Sequence, residues 1–242
     1  MKNLITISMM LFCSLVKSQT LIVEYNAFVK DNFTNKYHVF PAILESNSQQ
    51  KVKLYKVNFG IKEDLKEKST FVVTSKKKFQ YKLFSQKSNK LFIEDLIQDK
   101  PYLLEDNLPE FKWQLLNEKK VVKNVILYKA TTNFRGRDYI IWYDKNIKTY
   151  YGPWKFNNVP GLVYEVFEKT GFFKWEMVSY VNSTTDIADP FLTKEKFLDY
   201  KNYPKLRYGL SPELVEALKK NPNNNIFEQE KNGLEIKFEW EE

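Results

Sequence analysis

Within the run Phe172–Tyr180 the chain alternates strictly from Phe173 to Met177, with Phe173, Trp175 and Met177 on one face and Lys174 and Glu176 on the other. A period of two belongs to a strand with one buried face; a helix repeats every 3.6 residues. Related apolar-aromatic runs recur at Leu21–Lys30, Val39–Leu44, Phe71–Thr74, Phe79–Phe84, Leu91–Glu94, Val121–Ala130, Asp138–Tyr143 and Leu162–Glu168. Ser, Lys, Asn and Gly separate them, the punctuation of turns. Leu234, Ile236, Phe238 and Trp240 alternate again and read as a terminal strand. The expected fold is mainly β, an antiparallel sheet curled into a half-open barrel. Thr170-Gly171 is expected to turn a two-residue hairpin.

Helix signals are few. Ser211-Pro212-Glu213 supplies an N-cap, a first-turn proline and a first-turn acid, and Leu214, Ala217 and Leu218 then share a face. Asn221-Pro222 stops that helix and opens a polar loop to Asn225. Thr193–Tyr200 is a second candidate, with Phe197 and Leu198 inward and Pro204 as the breaker. These short C-terminal helices are expected to pack on the sheet.

Residues 1–18 read as a secretory signal peptide. Lys2 is followed by the apolar run Leu4–Val16, and small residues precede a cut after Ser18 or Gln19. That run is shorter than the roughly 20 residues that span a bilayer. Residues 19–242 are expected to form a single β-rich domain, exported, with no transmembrane segment after cleavage. Cys13, the one cysteine, leaves with the leader. Disulfides, thiol catalysis and cysteine–zinc sites are thereby excluded, and one histidine, His38, cannot build a multi-histidine metal site. No metal and no cofactor are expected.

The formal net charge is +8, with lysines spread among 30 acidic residues. The densest run, Lys76-Lys77-Lys78, reads as a solvated edge. A nucleic-acid face would need clustered basic residues, so no nucleic-acid partner is expected. No Gly-x-Ser-x-Gly elbow, phosphate-cradling loop or calcium loop occurs. The acid pairs Glu94/Asp95, Glu105/Asp106 and Asp186/Asp189 leave room for carboxylate chemistry of the glycosidase type.

Of the 38 basic residues only three are arginine, and Arg135 and Arg137 flank Gly136. A lysine-preferring chain that uses arginine here needs a planar, multi-donor guanidinium. Trp142-Tyr143, Gly152-Pro153, Trp154 and Val159-Pro160-Gly161-Leu162-Val163 follow in the same stretch. This stretch resembles the GLPGLI family of exported proteins of Gram-negative envelopes, with Pro160, Gly161 and Leu162 matching in place and Asn158 in place of the first glycine. The ending Asn232-Gly233-Leu234-Glu235-Ile236 is similar to the family's close as well. The resemblance brings no established activity; it implies an envelope location and association with outer-membrane receptor systems.

Two readings of the stretch stand side by side. In one, Gly152-Pro153 and Pro160-Gly161 turn a loop that folds Trp154 and Phe156 back over the sheet, with the arginines pairing carboxylates beneath it. In the other, Arg135 and Arg137 grip an anionic group at a ligand mouth lined by Trp142, Tyr143 and Trp154. Gly136, Gly152, Pro153, Pro160, Gly161 and Leu162 are structural in both. The expected function is a non-catalytic binding or carrier protein of the periplasm or outer membrane, possible also as a secreted protein. Its partner would be an amphiphilic small molecule, by analogy with periplasmic lipoprotein carriers, or an outer-membrane protein. A carboxylate-dependent periplasmic hydrolase is the alternative.

Overall fold

The computed structural model describes residues 19–59, 80–86, 88–210, 212–220 and 230–241. The leader, the Phe71–Thr74 run, Lys76-Lys77-Lys78, Ser211 and the loop from Asn221 to Asn225 lie outside the described residues.

Two meanders make the sheet. The first runs through β1 (Thr20–Lys30), β2 (Tyr37–Asn47), β3 (Val52–Asn58), β4 (Gln80–Gln86), β5 (Lys90–Ile97) and β6 (Lys100–Asn107), each antiparallel to the next. The second runs through β7 (Gln114–Val122), β8 (Val125–Phe134), β9 (Arg137–Asp144), β10 (Leu162–Glu168) and β11 (Phe173–Ser183). β1 and β11 pair antiparallel from Thr20↔Ser183 to Val29↔Phe173 and so join the two. A two-residue β12 (Leu198–Asp199) lies parallel along β6. The spatial order is β12-β6-β5-β4-β3-β2-β1-β11-β10-β9-β8-β7.

The sheet curls without closing. One apolar core unites Leu91 and Ile93 of β5 and Leu104 of β6 with Ala130 of β8 and Tyr139 and Ile141 of β9. Asp106 on β6 and Arg135 in the β8–β9 turn, far apart in the strand order, meet at 3.0 Å through side chains. Backbone pairing does not bridge those strands, and the barrel stays half open.

Register sorts the inner wall of the first meander into three rows. The middle row is apolar: Val23, Leu44, Tyr55, Leu83, Ile93 and Leu104 sit opposite one another across six strands, each at most 1% exposed. Each such aliphatic side chain contributes about 1.5–3 kcal/mol by leaving water. Two residues along, toward one end of the barrel, the row reads Leu21, Ser46, Lys53, Ser85, Leu91 and Asp106. Toward the other end lie Tyr25, Ala42, Val57 and Tyr81, with Asp95 and Tyr102 paired beyond them. Polar chemistry thus enters the barrel from both ends, and differently.

Several expectations need correction. Val121–Ala130 is not one strand: Lys123 and Asn124, with φ of 47° and 66°, turn the β7–β8 hairpin. Gln98-Asp99 and Arg135-Gly136 do the same for their hairpins, all with both turn residues at positive φ, the geometry that matches the twist of the flanking strands. The β10–β11 hairpin forms, but its loop spans Lys169–Phe172, because the Glu168 carboxylate accepts from Thr170 N and Phe172 N. The helix expected over Thr193–Tyr200 does not form, since Leu198–Asp199 pairs with β6; Phe197 packs on Phe92 in a small cluster on the outer face of the sheet, while Leu198 is exposed. A 3-10 turn (Tyr200–Asn202) and α1 (Tyr203–Tyr208) follow instead, and α2 (Pro212–Lys220) stands where the capping signal placed it. The terminal alternation forms no strand. Ile236 N and Lys237 N both donate to Arg135 O, which holds the segment against one turn rather than along an edge.

Candidate functional site

The loop between β9 and β10 enters the barrel and plugs one end. Trp154 and Phe156, at 2% and 0% exposure, pack on Tyr139 and Trp175. The fully buried Lys53 Nζ donates to the carbonyls of Gly152 (3.2 Å) and Phe156 (3.0 Å). Trp113 Nε1 donates to Asn157 O at 2.9 Å, and Tyr25 OH to Val163 O at 2.8 Å. Burial drives the Lys53 amine well below the ordinary lysine range, because it faces carbonyl dipoles and the Tyr151 ring with no carboxylate among the described residues to offset it. Gly161 is required here, since a Cβ would lie 2.3 Å from Asp144 O. Gly152, Pro153 and Leu162 are buried and Pro160 is half-buried in the same packing.

Beneath the plug lies a closed set of charges. Arg135 Nη1 donates to Asp106 Oδ2 (3.0 Å) and Glu235 Oε1 (2.6 Å), and its Nε reaches Glu239 at 3.2 Å. Lys155 Nζ donates to both Glu235 oxygens (2.9 and 3.1 Å) and to Asp106 (3.3 Å). The Tyr200 hydroxyl also donates to Glu235. Burial alone would lower the pKa of both cations. For Arg135 the facing Glu235 and Asp106 more than reverse it, whereas for Lys155 burial prevails and the ammonium sits below its ordinary range. Arg137 donates from Nε to Gly233 O (2.8 Å) and from Nη1 to Thr170 Oγ1 (3.2 Å), and pairs with Glu168 at 3.3 Å. Both guanidiniums are therefore spent on tying the C-terminal segment to the β8–β9 and β10–β11 turns.

The five residues assigned to a ligand mouth do not meet. Trp142 faces outward beneath the Lys120 ammonium, 4.6 Å from its ring, and Tyr143 packs near Tyr128. Arg135 lies at the base of a polar cleft of about 700 Å³ beside β6, with Asp106 and Trp240. Its donors there already hold three carboxylates. Of the five, Trp154 alone lines the cavity at the opposite, open end.

That cavity, of about 500 Å³, is walled mainly by Phe40, Tyr55, Tyr81, Trp154, Trp175 and Tyr203. Asp95, Arg207 and Glu235 supply charges from β5, α1 and the C-terminal segment, and Lys30 and Asp31 add two more where β1 ends. Along β5 the inward phase reads Leu91, Ile93, Asp95, Ile97, so a carboxylate occupies an apolar position. Asp95 accepts one hydrogen bond, from Leu96 N at 2.7 Å. Burial raises its pKa to about 6, against the pull of Arg207. Burial likewise raises Tyr81 and Tyr203, keeping both phenols neutral. Tyr55 OH accepts from Trp175 Nε1 (2.8 Å); among the described residues, no hydrogen bond engages the Tyr81 or Tyr203 hydroxyl. The sequence reading grouped Asp95 with Glu94 as an acid pair, yet its phase within LFIEDLI was the available signal. Among the described residues, no three His, Cys, Asp or Glu side chains are arranged to hold a metal, and no helix is long and apolar enough to cross a membrane.

No family model and no curated protein matches the chain. Solved structures of PNGF-II are similar in fold. The P21 crystal form aligns with a TM-score of 0.50 at 17% identity over 78% of this chain and 33% of that one, and the C2 form with 0.48 at 17% identity over 75% and 31%. The chain thus spans about a third of the length of PNGF-II, and the likeness is one of fold.

Proposed function

We propose that the chain is a non-catalytic binding protein of the bacterial envelope, whose open-ended cavity holds an amphiphilic small molecule. The observation that carries this reading is the aromatic cavity at the unplugged end, about 500 Å³ in volume with a few polar groups among its walls. Such a cavity, apolar with sparse polar contacts, suits a small ligand of mixed character. The signal-like leader and the GLPGLI resemblance support export to the periplasm or the outer membrane. Outer-membrane receptor systems are then the natural neighbours.

The test is to purify the protein natively, extract it and identify co-purifying molecules by mass spectrometry, beside an Ala27→Trp variant. Ala27 lines the cavity, and an indole there fills it. A molecule retained by the parent and absent from the variant supports the reading; an empty parent that also binds no added amphiphile overturns it.

One observation favours a hydrolase as a second reading: the raised pKa of Asp95, in the lining of a cavity, suits a general acid. Among the described residues the other carboxylates of the cavity lining are Asp31, which caps its own turn through Phe33 N and Thr34 N, and Glu235, already held by Arg135, Lys155 and Tyr200. A base so engaged is poorly placed to activate water, and the binding reading is the stronger.

A further inference from the structure

We infer that Asp95 is the polar anchor of the cavity, selecting amphiphiles whose head group donates a hydrogen bond over those with an anionic head. The inference rests on the binding reading above and deepens it. Most polar groups inside the barrel are already engaged: Lys53 by loop carbonyls, Lys155 and Arg135 by carboxylates, Glu235 by three donors, Tyr55 by Trp175. Asp95 differs. It stands in the core-facing phase of β5, lines the cavity and accepts one hydrogen bond, from a neighbouring backbone amide. Among the described residues no other hydrogen bond reaches its carboxylate, which keeps acceptor capacity at the cavity wall.

The groups around Asp95 define what they accept. Tyr81 of β4 and Tyr203 of α1 present neutral hydroxyls with no protein hydrogen bond among the described residues. Both can accept from or donate to a hydroxyl, and their ring faces attract an ammonium. Arg207 lies on the solvent side of α1, more than a third exposed, where water screens it. A carboxylate head pushed inward past it would meet Asp95, the one of the two inner carboxylates that no cation pairs among the described residues, since Glu235 is already paired with Arg135 and Lys155. A hydroxyl or ammonium head instead completes the hydrogen bonding of Asp95, while an alkyl tail lies against Phe40, Tyr55, Trp154 and Trp175.

Three probes of one chain length test this: dodecylamine, dodecanol and dodecanoate, titrated below micelle formation at pH 8 and followed by tryptophan fluorescence. Amine and alcohol are expected to bind at least about tenfold more tightly than dodecanoate, the size of one hydrogen bond to a charged group. Amine above alcohol identifies an ammonium head, and the reverse a neutral hydroxyl; either supports the anchor. Asp95→Asn, checked by thermal unfolding for an intact fold, should erase the discrimination against dodecanoate. Should that variant not fold, Tyr203→Phe decides, and unchanged affinity for amine and alcohol overturns the inference. Equal binding of the three probes, or dodecanoate binding best, overturns the anchor while leaving amphiphile binding in place. Binding of none, by the parent protein, overturns both.

Discussion

The two ends of the barrel hold charged side chains in opposite ways. At the plugged end Lys53, Lys155, Arg135, Asp106 and Glu235 are all buried, and each is satisfied by a partner the chain brings to it. At the open end Asp95, Tyr81 and Tyr203 are set among aromatic rings with bonding capacity left over. A buried polar group costs free energy unless it is paired. A paired set therefore reads as architecture, and an unpaired one beside a cavity reads as a site for something that arrives from outside. The arginines, conspicuous in the sequence, belong to the first kind.

Variants at the two ends break or sharpen this contrast. The largest effect is expected for Glu235→Ala, which leaves Arg135 and Lys155 sharing Asp106 in the interior. Removing one partner of a buried ion cluster costs about 3–5 kcal/mol, read as a lower urea midpoint at unchanged slope. Gly161→Ala comes next, because its Cβ would strike Asp144 O. Overpacking of that kind costs about 1–3 kcal/mol, and the variant should still bind amphiphile once folded at low temperature.

At the open end the sign reverses. Asp95 has a folded-state value of about 6 against an ordinary 3.8, so its proton is held more tightly in the folded chain. Its stabilising contribution is complete below pH 3.8 and is lost as pH rises through about 6. Asp95→Asn should therefore raise stability at pH 8, by up to about 3 kcal/mol, with the gain shrinking below pH 4. Unfolding curves at the two pH values measure it, and an unchanged gap between them would remove the distinction between the ends. Smallest of all is Lys169→Ala, which deletes an exposed pair with Asp138. It should shift stability by less than about 0.5 kcal/mol.

How much of this was legible beforehand varies with the range of the interaction. β10 and β11 were readable because Phe173, Trp175 and Met177 keep strict phase. The plug was readable too, since Gly152-Pro153 and Pro160-Gly161 bracket Trp154 and Phe156. β3 was not, because Lys53 stands in its inward phase and breaks the apolar pattern; the carbonyls that satisfy it come from a loop about a hundred residues away. The helix expected at Thr193–Tyr200 failed for a related reason: β12 owes its conformation to pairing with β6. The terminal alternation misled because Glu235 turns inward to two cations, a partner set that local spacing cannot reveal.

By itself the sequence determined the class of fold, because strand period, turn residues and the placing of aromatics act over a few neighbours. Tertiary structure decided which end of the barrel is filled and which is open. The row containing Lys53 and Asp106 and the row containing Tyr81 and Asp95 lie on the same strands, four residues apart, with the apolar row between them. What separates them is the β9–β10 loop and the C-terminal segment, whose side chains reach one row and leave the other exposed to a cavity. Pairing across that distance depends on how the sheet curls, and the curl is a property of the whole chain.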